Sequence, residues 1–154
     1  MVFMKFTKMH GAGNDYIFVN GFKEDLVWPD VARALSDRHK GIGSDGLIVA
    51  EESDSADFRM RMFNVDGSEG EMCGNGLRCL VAFAIEEGIV NKDSEFQKVE
   101  TGAGTSLVRP IFDHGAMTGA SVSMGAPIFE PSRIPVDIFN DSSPVLDYPL
   151  EVGG

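Results

Sequence analysis

The sequence has few basic residues, few cysteines and no long hydrophobic run, and each shortage excludes a class of protein. Thirteen lysines and arginines stand against 24 acidic residues, and the net charge of −11 argues against nucleic acid or an anionic membrane surface as a partner. Two cysteines are too few for a disulfide scaffold. The longest run of aliphatic and aromatic residues, Leu80–Ile85, is far shorter than the ~20 residues that span a bilayer. The first residues also lack the apolar core of a signal peptide, so we expect a soluble, acidic, cytoplasmic protein.

Length and glycine content indicate one domain with many tight turns. The chain of 154 residues is long enough to bury a core. Its 18 glycines exceed the usual share of ~7%, and no repeat or low-complexity run accounts for them. The character of the sequence changes after Gly125, because five of the seven prolines lie in the last 29 residues.

Hydrophobic patterns predict a mostly β chain with two helices. The first helix is expected to begin at Pro29, with Val31, Ala34, Leu35 and Arg38 at helical spacing, and the second to cover residues 75–87 and end at Gly88. Strands are expected at residues 3–9, 16–20, 46–52, 57–64, 96–101, 105–112 and 119–125.

Asn64 ends the clearest of these strands. Residues 57–64 alternate, so that Phe58, Met60 and Met62 point to one side and the two arginines to the other. Asn64 falls on the methionine side, where a polar amide needs a hydrogen-bond partner. Asparagine is also a common turn former, and the same alternative holds for Asn14 in "GAGND".

Two motifs suggest ligands but fail on context. "GIGSDG", Gly41 to Gly46, is a literal G-x-G-x-x-G, yet it follows a helix and precedes a strand. A dinucleotide fingerprint needs the opposite order, so a glycine-rich turn is favoured. Cys73 and Cys79 have no histidine at the spacing of a zinc site, and Cys79, inside the apolar run, is expected to be a buried structural residue.

Cys73 is the strongest candidate for chemistry. It stands directly before Gly-Asn-Gly at the predicted start of the second helix, where unpaired N–H groups and the helix dipole stabilise an anion such as a thiolate. Gly74 and Gly76 allow close approach of the backbone, and amides there can bind a carboxylate. The alternative is a buried cysteine beside a glycine turn.

Several segments together resemble diaminopimelate epimerase. They are "KFTKMHGAGNDY", "GIGSDGLI", "FNVDGSEGEMCGNGLRC", "VETGAGT" and "SMGAPIFEPSRIP", in the family's order. The resemblance implies an α+β fold in which a β-barrel-like sheet wraps around a central helix, as one of two similar domains. Residues 1–118 would form the N-terminal epimerase domain and residues 119–154 the start of a second domain.

The resemblance also implies an activity and a set of site residues. The enzyme would be a cofactor-independent amino-acid epimerase of lysine biosynthesis, without a metal, that interconverts LL- and meso-diaminopimelate through two cysteines. Cys73 would be one catalytic cysteine, and Asn14, Asn64, Gly74 and Asn75 would hold the substrate. The full-length enzyme would be a cytoplasmic homodimer.

The sequence departs from the family in two places, and two other functions stay open. Many members carry glutamine where Gly46 stands, and the second catalytic cysteine has no counterpart here, so the chain is expected to carry half of an active site and to be inactive alone. A proline racemase-like enzyme of the same fold is one alternative, although its motif typically has histidine at the position of Asn75. A non-catalytic ligand-binding or thiol-sensing domain is the other.

Overall fold

The computed structural model describes residues 4–22, 24, 26–136, 144–149 and 151. The chain divides into two compact units, Met1–Met124 and Gly125–Gly154. Among the described residues of the second unit, the regular element is a single 3₁₀ turn, Pro131–Arg133. None of the helices in the described part of the chain has the length and apolar character needed to cross a bilayer.

The first unit is a mixed sheet with two α-helices. The helices are α1 (Trp28–Ser36) and α2 (Gly74–Glu86). The described residues form eight strands: β1 (Thr7–Gly11), β2 (Asn14–Asn20), β3 (Gly46–Glu51), β4 (Phe58–Asn64), β5 (Glu69–Gly70), β6 (Gln97–Thr101), β7 (Gly104–Asp113) and β8 (Ala116–Val122). They pair in the order β1-β2-β3-β4-β6-β7-β8, and the short β5 pairs with β4.

The direction of each strand pair follows from its connection. β2 and β3 are parallel, as are β4 and β6, and a helix lies between the two strands of each pair in the sequence, as a parallel crossover requires. The other neighbours are antiparallel. Because α2 contacts both end strands of the order, β1 and β8, as well as β2, β3 and β7, the sheet curls around α2. The predicted wrapped sheet with a central helix is therefore confirmed.

The sheet has a core on each face. On the inner face, α2 packs through Leu77, Leu80 and Val81 against side chains of β2, β3 and β4. On the outer face, Trp28 and Ala32 of α1 belong to one cluster with apolar side chains of β2 and β3 and with Phe63 of β4. Since β2 and β3 are covered on both faces, they read as continuous apolar runs. β4 alternates because its two arginines, Arg59 and Arg61, face outward, where they are only partly buried.

Most predicted elements are confirmed, with two shifted strands. The strand predicted at residues 3–9 is Thr7–Gly11, and residue 3 lies outside the described residues. It reaches Gly11 because a two-residue turn, Ala12 and Gly13 with positive φ, joins it to β2 as a hairpin. The strand predicted at 119–125 is Ala116–Val122, because a second tight turn at His114 and Gly115 starts it immediately after β7.

The residues noted at helical spacing in the first helix coincide only in part with its buried face. The buried residues of α1 are Trp28, Ala32 and Ser36, while Ala34 is exposed. Arg38 lies beyond the helix end and is also exposed. The buried side of the helix is the one that faces β3 and β4, because α1 lies on the outer face of these strands. On that side the Ser36 hydroxyl accepts a 3.1 Å hydrogen bond from Ser44 Oγ.

Candidate active site

Cys73 forms the N-cap of α2, with an extended backbone (φ −134°, ψ 114°). Its Sγ accepts two hydrogen bonds, each 3.4 Å long, from the Gly76 N–H and from the Tyr16 hydroxyl. The first donor belongs to the opening turn of the helix and the second to β2. The thiol is partly exposed. The sulfur that accepts these two hydrogen bonds thus lies at the N-terminal, positive end of a 13-residue helix.

Gly74 and Asn75 are the first two residues of α2. Their N–H groups have no acceptor within the helix, as in the first turn of any α-helix. The strand β1 crosses close to this end, since a Cβ added to Gly11 would lie 2.9 Å from the carbonyl oxygen of Asn75. Glycine at position 11 therefore lets β1 and the start of α2 approach closely.

The Asn75 side chain connects α2 to β2. Its Nδ2 donates to Asn14 Oδ1 at 2.7 Å, and its Oδ1 accepts from Arg78 Nη2 at 2.6 Å. Asn14 Nδ2 in turn donates to Asp45 Oδ2 at 3.3 Å. Each amide thus has a donor and an acceptor partner, which sets the orientation of both.

Arg38 anchors the far end of this chain of hydrogen bonds. It binds Asp15 at 2.6 Å and Asp45 at 2.8 Å, and Lys8 also binds Asp15, at 3.1 Å. The hydrogen bond from Arg38, helped by Lys8, lowers the pKa of Asp15 from 3.8 to about 2 although partial burial opposes it. Asp15 therefore stays charged at neutral pH and does not act as a general acid.

Asn64 lies apart from this group but on the same face of the sheet. Tyr16, Gly46 and Asn64 are directly paired across β2, β3 and β4, which places Asn64 about 10 Å from Tyr16 between backbones. As its alternation predicted, Asn64 continues the face of Met60 and Met62. Its side chain is exposed, and its Nδ2 donates to Ser68 Oγ at 2.9 Å.

Gly46 lies between Tyr16 and Asn64 in this register. A Cβ added there would overlap the carbonyl oxygen of Phe63 and would lie 3.4 Å from Cε1 of Tyr16. The missing side chain leaves room for the tyrosine ring, and with this backbone the position has no space for a glutamine.

Cys79 lies six residues beyond Cys73, about one and two-thirds turns further along the helix, and projects to a different side. It is only 8% exposed and belongs to the inner core, and burial raises the pKa of its thiol. These properties are those of a structural cysteine.

Of the five residues predicted for the site, the structure brings Cys73, Gly74, Asn75 and Asn14 together and places Asn64 on the same sheet face. Sequence reasoning missed Tyr16, whose alternation with Phe18 is typical of a core strand. A buried tyrosine usually needs a hydrogen-bond partner, and that was the available signal. Arg38 and Asp45 were also missed, because their contacts join residues far apart in sequence.

Comparison with known proteins identifies the family. Residues 6–130 match the family model for diaminopimelate epimerase. The chain belongs to the diaminopimelate epimerase family. The diaminopimelate epimerase of Desulfovibrio desulfuricans is 53% identical over 136 residues, which are 88% of this chain and 47% of that protein. That of Methanococcus maripaludis is 45% identical over 145 residues, 94% of this chain and 51% of the relative. The chain thus spans about half the length of the curated relatives it matches.

Solved structures with little sequence identity share the fold. A probable proline racemase from Agrobacterium radiobacter superposes with a TM-score of 0.56 at 17% identity, covering 79% of this chain and 42% of that one. Methylitaconate-delta-isomerase gives a TM-score of 0.59 at 17% identity, with coverages of 74% and 36%. These coverages agree with the predicted fold of one domain out of two. That residues 119–154 begin the second domain stays a prediction.

Proposed function

We propose that this chain supplies one half of the active site of a cytoplasmic diaminopimelate epimerase, with Cys73 as its acid–base group. The observation that carries the proposal is the position of Cys73, which caps α2 and accepts hydrogen bonds from Gly76 N–H and the Tyr16 hydroxyl. Membership of the family supports diaminopimelate as the substrate and a homodimer as the assembled enzyme.

The proposed reaction inverts one α-carbon by two proton transfers. The Cys73 thiolate takes the α-proton from one face, so that an S–H bond forms while the C–H bond breaks. The electron pair left on the α-carbon delocalises into the substrate carboxylate. A thiol of a second domain then donates its proton to the opposite face, and the reverse reaction exchanges the two roles.

The start of α2 has the groups that bind the carboxylate. The N–H groups of Gly74 and Asn75 are donors without helical acceptors, and together with the helix dipole they would stabilise the negative charge that develops on the carboxylate. Asn14, held by Asn75 and Asp45, and Asn64, exposed on the same sheet face, would contact the polar groups of the amino acid.

Deuterium incorporation tests the proposal. LL-diaminopimelate is incubated in deuterated water with the 154-residue chain and with the chain followed by a second domain, and the α-deuterium content is measured by mass spectrometry. We expect exchange at an enzymatic rate only for the two-domain protein. There, Cys73→Ala should lower the rate by at least about 10²–10⁴-fold, whereas the matched control Cys79→Ala should keep it.

Two results would contradict this assignment. Rapid exchange by the 154-residue chain that is lost on Cys73→Ala would show that one half suffices. Normal turnover by the two-domain Cys73→Ala variant would remove Cys73 from the mechanism. Binding of diaminopimelate by the two-domain protein without any exchange would favour the non-catalytic ligand-binding alternative.

A further inference from the structure

Tyr16 touches the thiol that the proposed reaction uses. It lies in β2, is 8% exposed, and directs its hydroxyl at Cys73 Sγ over 3.4 Å. We infer that Tyr16 is a positioning residue for Cys73. The Tyr16 hydroxyl favours the thiolate and holds the sulfur at the N-terminus of α2. The inference rests on the proposed function for its catalytic meaning, but the contact itself can be tested without turnover.

The fold holds the tyrosine ring independently of the cysteine. The ring packs edge-on against Phe18, with centroids 6.4 Å apart, and lies beside Gly46, where an added Cβ would be in close contact with it. A ring fixed in this way presents its hydroxyl at one place. Rotation of the Cys73 side chain away from that place would break the hydrogen bonds to both Tyr16 and Gly76, so the two donors together select one position for the sulfur.

The hydroxyl is suited to donate a hydrogen bond and not to give up its proton. Burial, and then the hydrogen bond with Cys73, raise the pKa of Tyr16 far above its ordinary value of 10.0. The neighbouring Asp45 and Asp15 raise it further. A phenol that keeps its proton at every working pH can stabilise a thiolate throughout the catalytic range, since hydrogen bonds to charged groups are the stronger ones.

The other charged groups near the pair have partners of their own. Asp15 and Asp45 are both paired with Arg38, and the Arg78 side chain donates a hydrogen bond to Asn75. Removing the Tyr16 hydroxyl therefore changes the sulfur's surroundings while leaving these pairs in place.

The test measures the rate of Cys73 alkylation by iodoacetamide as a function of pH in the 154-residue chain. Cys79 is replaced by alanine so that Cys73 is the single thiol that reacts. Tyr16→Phe keeps the ring and removes the hydroxyl. We expect the midpoint of the profile to rise by about one pH unit and the rate below the midpoint to fall about tenfold, because a hydrogen bond to a charged group changes an equilibrium by roughly that factor. Tyr148→Phe, which removes the chain's other phenol hydroxyl from an exposed site, is the matched control and should leave the profile unchanged.

A second substitution keeps the test decisive if Tyr16→Phe fails to fold. Replacing Tyr16 by fluorotyrosine in a Tyr148→Phe background makes the phenol a stronger donor, and the midpoint should then move to lower pH. An unchanged profile for Tyr16→Phe, or for the fluorotyrosine protein, would overturn the inference and leave Tyr16 as a core residue. Failure of the proposed function would be recognised by a different result, namely normal turnover by the two-domain Cys73→Ala variant.

Discussion

Replacing Asn75 by alanine should weaken the attachment of α2 to β2, because this partly buried side chain joins the two elements. The change removes the hydrogen bond to Asn14 Oδ1 at 2.7 Å and the one from Arg78 at 2.6 Å. A partly exposed hydrogen bond contributes about 1 kcal/mol net, and alanine recovers about 0.5 kcal/mol through its higher helix propensity. We therefore expect the free energy of unfolding to fall by about 1.5 kcal/mol.

The link between the two asparagines can be isolated by a double-mutant cycle. Asn14→Ala should cost about 2 kcal/mol, because it removes the bonds with Asn75 and Asp45 and, in a strand, gains nothing from helix propensity. The double variant should be about 1 kcal/mol more stable than additivity predicts, since the bond between Asn14 and Asn75 can be lost only once. Equilibrium urea unfolding followed by circular dichroism measures all four free energies.

Asn91 provides the control for that cycle. Its side chain accepts a hydrogen bond from the Asp93 N–H in an exposed turn and shares no partner with Asn75. The effects of Asn75→Ala and Asn91→Ala should add within about 0.5 kcal/mol. If the cycle of Asn14 with Asn75 is equally additive, the chain of amide hydrogen bonds does not tie the helix to the sheet, and our account of how the site is held is wrong.

Two further predictions concern the thiols and the acidic network. Limited iodoacetamide near neutral pH should label Cys73 well before the buried Cys79. Cys79→Ala should therefore keep the wild-type labelling rate, and it should cost about 1 kcal/mol of stability. Faster labelling of Cys79 in peptide mapping would contradict the assignment. Asp15→Asn should destabilise the chain at pH 6. Because the folded pKa of Asp15 is lowered to about 2 from 3.8, its contribution is fully present above the unfolded value and is lost as the pH falls through the folded one. The stability difference from wild type should therefore vanish as the pH approaches 2 in urea titrations, and Asp113→Asn, at the exposed end of β7, is the control.

Elements with one strong local pattern could be predicted from the sequence. The spacing of Leu77, Leu80 and Val81 and the stop at Gly88 define α2, and Gly88 indeed has a positive φ of 70°. The alternation in β4 placed Asn64 on the inner face because side-chain direction in a strand depends only on parity. Cys73 at the helix start followed from the same local reasoning.

Features that depend on distant partners could not be predicted in this way. The buried face of α1 depends on where the helix lies on the sheet, which its own periodicity does not determine. Arg38 reaches Asp15 across 23 positions of sequence and Asp45 across 7, and no local signal joins these three. Tyr16 matched a core pattern and is buried in the core, while its hydroxyl contact became visible only when β2 and α2 were placed side by side.

The pairing of Tyr16 with Cys73 and of Asn14 with Asn75 spans 57 and 61 positions of sequence. Contacts between residues so far apart in sequence carry a large loop-closure cost and form slowly compared with local ones. Helix α2 can acquire its own hydrogen bonds locally, but the donor from β2 reaches the sulfur only when the helix settles into the curved sheet. The environment that we propose to activate Cys73 is therefore a property of the assembled unit, and a newly made or unfolding chain lacks it. Alkylation of Cys73 during refolding would accordingly report the moment at which helix and sheet come together.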